Sequence, residues 1–295
     1  RLPETVPEVQ SEVTDFRSLV SNPTSTGWQK PARHLYGVLI SPLSNRLDRY
    51  HRLVIVPSGA LNALPFAALV GPDGKPLAIR HALVALPSAT VLQFCRARNP
   101  GPVSKPVLFA IGHASAGKYP PLPGTLQEVA DIHSLYPGAE VEANDQFTKD
   151  HVVQQAPLFD VVHFATHGIL DRRHPQDSAI ICADGPFDIQ HLVDLRLHAG
   201  LVVLSACETG LGRLYRGDEM VGLTRSMMLA GTPSVLATLW SVADHSTAQF
   251  MSDFYRSLKA GHDKAAALQS AQVSLMKQYP HPFYWAPFQL QGDWR

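Results

Sequence analysis

Val161-Val162-His163-Phe164-Ala165-Thr166-His167-Gly168 and Leu201-Val202-Val203-Leu204-Ser205-Ala206-Cys207-Glu208-Thr209-Gly210 decide the fold of this chain. Each is a short, largely apolar run, the pattern of a buried strand. Each stops at a reactive side chain with a glycine close behind. Cys207 follows His167 by 40 residues, room for one crossover between parallel strands. Open parallel sheets gather their sites at the carboxyl ends of strands, so the two runs would present an imidazole and a thiol to one crevice. The thiolate is the nucleophilic form of cysteine, and a neighbouring imidazole favours it by taking the proton. Gly168 and Gly210 permit tight turns, which aim backbone N–H groups at a developing oxyanion. Taken singly, His167 or Cys207 reads as core packing. The pair at two strand ends favours base and nucleophile.

Composition narrows the function classes. The 295 residues suffice for one large domain or two small ones, and 45% apolar with 17% charged content suits a sizeable core. Lys plus Arg equals Asp plus Glu at 25 each, so the overall charge suggests no nucleic-acid surface. No apolar run approaches the roughly 20 residues that span a bilayer, and no signal peptide is visible. The first residue is Arg1 rather than Met, which suggests a piece of a longer protein. Cys95, Cys182 and Cys207 form no CxxC motif; so few cysteines fit a reducing, cytoplasmic setting. Cys95 and Cys182 lack a neighbouring glycine turn or paired histidine and read as packing residues. A metal is not expected: His163 and His167 lie four apart in a strand-like run, roughly 13 Å from each other, too far to share one ion.

Along the chain, strand and helix signals alternate, the mark of an α/β fold with a mainly parallel sheet. Val9, Val13, Phe16, Leu19 and Val20 space one amphipathic helix that ends before Asn22-Pro23, and compact structure begins at Tyr36. Leu53–Pro57 and Ala82–Pro87 read as strands, with a helix over Ala89–Ala97. Asn99-Pro100-Gly101-Pro102 is the boundary candidate, so the expected organisation is a connector helix in 1–30, a smaller lobe in 31–102 and a catalytic lobe in 103–295. The second part gives strands at Pro106–Ile111 and Ala179–Ala183 and helices at Leu126–Leu135 and Gln146–Gln155. Asp218 opens a helix that Gly231 and Pro233 stop after Ala230. A strand over Ser234–Trp240 and helices over Ser246–Ala260 and Asp263–Tyr279 complete the pattern.

Ala165–Gly168, Ser205–Gly210 and Leu229–Val235 together resemble the CHAT domain, a caspase-like cysteine peptidase family related to separase. Leu53–Leu69, Ala85–Leu92 and Tyr284–Gly292 agree in the same order, so the resemblance covers most of the chain from about residue 35. It implies a caspase–haemoglobinase-like fold, mainly parallel sheet flanked by helices, with a smaller N-terminal α/β lobe. It also implies a dyad of His167 and Cys207, an oxyanion hole from the N–H groups of Gly168 and Cys207, no cofactor, and a protein or peptide substrate. Helical repeats often precede such domains, so an upstream sensor region is an expected partner. The caspase signature Gln-Ala-Cys-x-Gly is met only in part, since Ser205 stands for Gln and the glycine comes later at Gly210. Aspartate specificity is therefore not implied.

Beside the dyad, His163 reads as a hydrogen-bonded core histidine. Asp218 and Glu219 sit where a helix start favours acids and where separase-like enzymes receive a basic P1 side chain. Arg172 and Arg173 are the rival, a basic pocket for an acidic P1. Trp240 and Trp285 read first as core packing and second as walls of a peptide groove, and Arg213 and Arg216 are candidate self-cleavage points. The leading reading is a cysteine endopeptidase; the alternatives are a catalytically silent signalling or scaffolding module and another thiol-acyl enzyme.

Overall fold

A computed structural model describes residues 5–98, 107–111, 122–169, 171, 174–205, 218–242 and 244–295. The first helix, α1 (Val6–Val20), buries Val9, Val13, Phe16 and Val20, the stripe expected of a 3.6-residue period. Each such side chain favours docking by about 1.5–3 kcal/mol. Arg17, on the same helix, is buried and donates from Nη2 to the Leu239 carbonyl at 2.6 Å. Then follow α2 (Gln29–Leu39), α3 (Ser44–Leu47), β1 (Arg52–Ile55), α4 (Leu77–Arg80), β2 (Ala82–Ala85) and α5 (Val91–Ala97). Pro31 stands in the first turn of α2, where its missing N–H costs nothing.

The second part runs β3 (Val107–Ile111), α6 (Pro123–Leu135), β4 (Glu140–Ala143), α7 (Lys149–Gln155), β5 (Val161–Ala165), β6 (Gly168–Ile169), β7 (Ala179–Cys182), β8 (Gly185–Asp188) and α8 (Ile189–Val193). It continues through β9 (Leu201–Leu204), α9 (Asp218–Ala230), β10 (Ser234–Thr238), α10 (Asp244–Lys259), α11 (Lys264–Gln278) and β11 (Phe288–Gly292). Eight strands form one sheet in the order β1-β2-β11-β10-β9-β5-β3-β4, and β6-β7-β8 form a small antiparallel one. The large sheet is parallel everywhere except between β10 and β11. Strands β10, β9, β5, β3 and β4 therefore run one way and β1, β2 and β11 the other. Both strands of residues 31–102 continue the sheet, and α1 shares its core with Leu53, Phe254 and Leu290.

Two buried clusters sandwich the sheet. Val161, Leu201, Val203 and Leu236 face Phe254, Tyr255 and Leu268 of α10 and α11. Val162, Phe164, Val202, Leu204 and Ala237 face Leu192, Leu223 and Met227 of α8 and α9. The period of two along β5 and β9 assigns alternate residues to opposite faces.

At the amino end of β10, Lys264 is buried. Its Nζ donates to Ser234 Oγ at 3.0 Å, to the Asp293 carbonyl at 3.3 Å and to the Arg295 carbonyl. Burial depresses its pKa to about 8. Burial also pushes the Asp293 carboxyl up, but hydrogen bonds from Arg295 outweigh this and leave it below its ordinary value. Gly292 has φ of 102°, and a Cβ there would stand 2.0 Å from the Pro233 carbonyl oxygen, so only glycine fits. Gly231 is held likewise, its φ at 126° and a Cβ only 2.4 Å from the Leu197 carbonyl. Among the described residues no helix is long and apolar enough to cross a membrane.

Candidate active site

β5 and β9 are parallel neighbours, paired from Val161 opposite Leu201 to Phe164 opposite Leu204, so their carboxyl ends share one edge. The run Val161–Ala165 is buried throughout, as is Leu201–Leu204, which suits strands covered on both faces. His167 follows β5 by two residues. Cys207 lies outside the described residues, as do Arg172, Arg173, Gly210, Arg213 and Arg216.

The turn after β5 is held by β7. Thr166 donates from Oγ1 to the Ile181 carbonyl at 2.6 Å, and the Ile181 N–H donates to the His167 carbonyl at 2.8 Å. Gly168 and Ile180 are then the non-hydrogen-bonded pair of an antiparallel ladder, so the Gly168 N–H points away from β7. The whole His167 residue is buried, 0% exposed.

His163 has its own partners. Its Nδ1 lies 2.9 Å from the Tyr255 hydroxyl of α10, and its Nε2 lies 2.7 Å from Glu128 Oε1 of α6, a close contact off hydrogen-bond alignment. The other Glu128 oxygen accepts from Ser205 Oγ at 3.2 Å, one residue past β9. Burial first, and the Glu128 charge second, push the Tyr255 hydroxyl well above its ordinary pKa, so it stays protonated. The core-histidine reading of His163 thus has its geometry. Glu128 is absent from the sequence reading, although a signal exists. Thr125, Glu128, Val129 and Ile132 are the buried residues of α6, so an acid stands on the apolar stripe.

The remaining candidates are dispersed. Asp218 and Glu219 open α9, consistent with a helix start, and their side chains lie outside the described residues. Trp240 is buried, its indole N–H donating to the Phe283 carbonyl at 3.1 Å, and Trp285 is buried beside the same core. Burial raises the thiols of both remaining cysteines, Cys182 to about 12, which keeps them in the inert protonated form. For a metal, Asp171, His174 and Asp177 bring ligand atoms within 4.8 Å of one another on the loop after β6. The cluster is largely open to solvent and includes neither His163 nor His167.

The mainly parallel sheet flanked by helices defines a class, the caspase-like α/β folds. The CHAT domain model matches residues 29–293, and the chain belongs to that family. Tetratricopeptide repeat protein 28 of Mus musculus is 28% identical over 89% of this chain, which spans only 13% of that relative's length. Among solved structures, the Saccharomyces cerevisiae separase–securin complex superposes with a TM-score of 0.59 at 13% identity, covering 94% of this chain and 19% of that one. The Arg-specific cysteine proteinase gingipain R (RgpB) superposes with a TM-score of 0.54 at 11% identity, covering 98% of this chain and 75% of that one.

Proposed function

We propose that the chain is a cysteine endopeptidase that cleaves a protein substrate through a His167–Cys207 dyad. The observation that carries this reading is the register of β5 against β9, whose carboxyl ends share one edge, one leading to His167 and the other toward Cys207. His167 takes the Cys207 proton, and Sγ attacks the scissile carbonyl. The amide C–N bond breaks as His167 returns the proton to the leaving amine. Water then hydrolyses the thioester. The direction of the Gly168 N–H supports an oxyanion role beside the Cys207 N–H. No cofactor enters this cycle.

Asp218 and Glu219 receive a basic P1 side chain in this reading, in keeping with the Arg-specific structural neighbour. Trp240 walls the peptide groove in this reading. The name and greater length of the tetratricopeptide-repeat relative support a helical-repeat region as a partner of this domain; the reading places that partner upstream, as a sensor, and the protein in the cytoplasm. Removing either acid lowers kcat/KM for an Arg P1 by about 2–5 kcal/mol and far less for a neutral one, the range for stripping one partner from a buried charge pair. The P1 profiles of wild type, Asp218→Asn and Glu219→Gln check this; a neutral or acidic preference, or profiles unchanged by both substitutions, would return both acids to helix capping.

One observation favours the silent-module alternative. His167 is 0% exposed, so the candidate base is covered. A covalent thiol probe decides between them. Labelling of Cys207 that disappears in His167→Ala supports the enzyme, and cleavage of a mixed peptide library separates peptidase from other thiol-acyl chemistry. An unreactive Cys207 with and without an upstream partner supports the silent module.

A further inference from the structure

Glu128 joins the two strands that lead to the dyad. It comes from α6 and is 2% exposed. One oxygen contacts His163 of β5, and the other accepts from Ser205 at the end of β9. His163 in turn meets the hydroxyl of Tyr255, whose own carbonyl accepts from the Tyr136 hydroxyl at 3.2 Å. One buried side chain of α6 therefore links β5 with the residue after β9, and α10 joins through His163.

Stability alone does not account for this cluster. A carboxylate, an imidazole and a hydroxyl are each costly to take out of water, and apolar side chains of similar volume would hold the same elements at lower cost. The opposite face of the same two strands is built that way, from Val162, Phe164, Val202 and Leu204. Hydrogen bonds add direction, which apolar contact lacks. The restrained residues are close in sequence to the chemistry: Ser205 stands two residues before Cys207 and His163 four before His167.

We infer that Glu128 is a positioning residue that holds the end of β9 in step with β5, through Ser205 and His163, and thereby sets the approach of the Cys207 thiol to the His167 imidazole. The inference rests on the dyad reading. Glu128 touches no substrate; it acts through the strand ends.

The test is the pH dependence of Cys207 alkylation by iodoacetamide in the whole chain, followed by peptide mass spectrometry. Cys95 and Cys182, with raised thiol pKa values, map to other peptides. Thermal unfolding runs alongside, with kcat and KM on a cleaved peptide. Wild type should alkylate with a midpoint below the ordinary ~8.5 of a free thiol, and His167→Ala should restore the ordinary midpoint. Ser205→Ala takes the donor from one buried Glu128 oxygen and should stay folded with a modestly lowered unfolding temperature. Its midpoint should rise toward the ordinary value, and its kcat should fall about ten- to a hundredfold with KM little changed, the signature of misplacement. Glu128→Leu should do the same or more, and Glu128→Gln, which keeps an acceptor for Ser205, should recover most of the loss. Folded Ser205→Ala with wild-type midpoint and kcat overturns the positioning role and leaves the dyad standing, even if Glu128→Leu fails to fold. A wild-type midpoint that is ordinary and indifferent to His167→Ala overturns the dyad and this inference together.

Discussion

The two rims of the large sheet each bury polar side chains, and they do so differently. At the amino end of β10, Lys264 is held by main-chain carbonyls and one serine, and Asp293 by Arg295. That knot ties the last residues of the chain to α11 and β10, whatever lies elsewhere. Toward the carboxyl ends of β5 and β9, Glu128, His163, Tyr255 and Ser205 meet side chain to side chain across four elements. The first is a fastening. The second relates strand ends to one another, as suits ends that present something in a fixed geometry. The contrast teaches that buried polarity marks a candidate site when it restrains the edge where the proposed dyad lies.

The strongest way to break this contrast is at the carboxyl rim. Cys207→Ala should abolish turnover with little change in thermal unfolding, and His167→Ala should cost at least ~10²-fold in kcat, the lower range for a lost general base. Turnover retained by Cys207→Ala would remove the functional distinction between the rims. A smaller effect of another kind is expected at the amino rim. Gly292→Ala forces a Cβ into the Pro233 carbonyl and should cost on the order of 2–4 kcal/mol of stability in denaturant unfolding, while activity per folded molecule stays unchanged. Activity loss beyond the unfolded fraction would mean that the fastening also serves the site.

The smallest expected effect is a pH slope. The folded pKa of Lys264, about 8, lies below the ordinary lysine value. Between those values the unfolded chain binds more protons than the folded one, so this group makes stability rise with pH. Its burial cost is fully present below the folded pKa and is relieved as pH climbs toward the ordinary value. Asp293, Arg295, Asp263 and Cys95 act on the same amine. Denaturant curves from pH 7 to 10.5 should show wild type gaining on the order of 1–3 kcal/mol relative to Lys264→Met. A constant difference across that range would show that the amine does not titrate there.

Much of this was legible one element at a time. The apolar runs at Val161 and Leu201 are long enough and dry enough to be strands, and Gly231 with Pro233 stops α9 after Ala230. The strand read over Ser234–Trp240 closes at Thr238: the Leu239 N–H still donates to the Pro287 carbonyl at 3.0 Å, but Pro287 has no N–H to return the bond. The helix read from Gln146 starts at Lys149, because Thr148 caps it through Oγ1 onto the His151 N–H at 3.3 Å. The edge strand β4, Glu140–Ala143, carries two acids in four residues and gives no apolar signal. Helix α2 is masked by Pro31, which reads as a breaker unless its place in the first turn is known. Tyr284–Gly292 entered only as a family motif, although Phe288 and Leu290 alternate with glutamines as a strand should.

The sequence by itself determined that this is an α/β chain of the CHAT family, with a histidine and a cysteine at two strand-like ends, because strand periodicity, glycine stops and short motifs are local properties. Tertiary structure alone decided that β11 enters antiparallel to β10 and joins two oppositely directed parallel blocks. It alone brought Glu128 to His163, 35 residues on, and to Ser205, 77 residues on. The physical reason is that strand order and buried polar pairing depend on which surfaces meet after the chain collapses. Side chains far apart in sequence carry no local pattern that announces a shared partner.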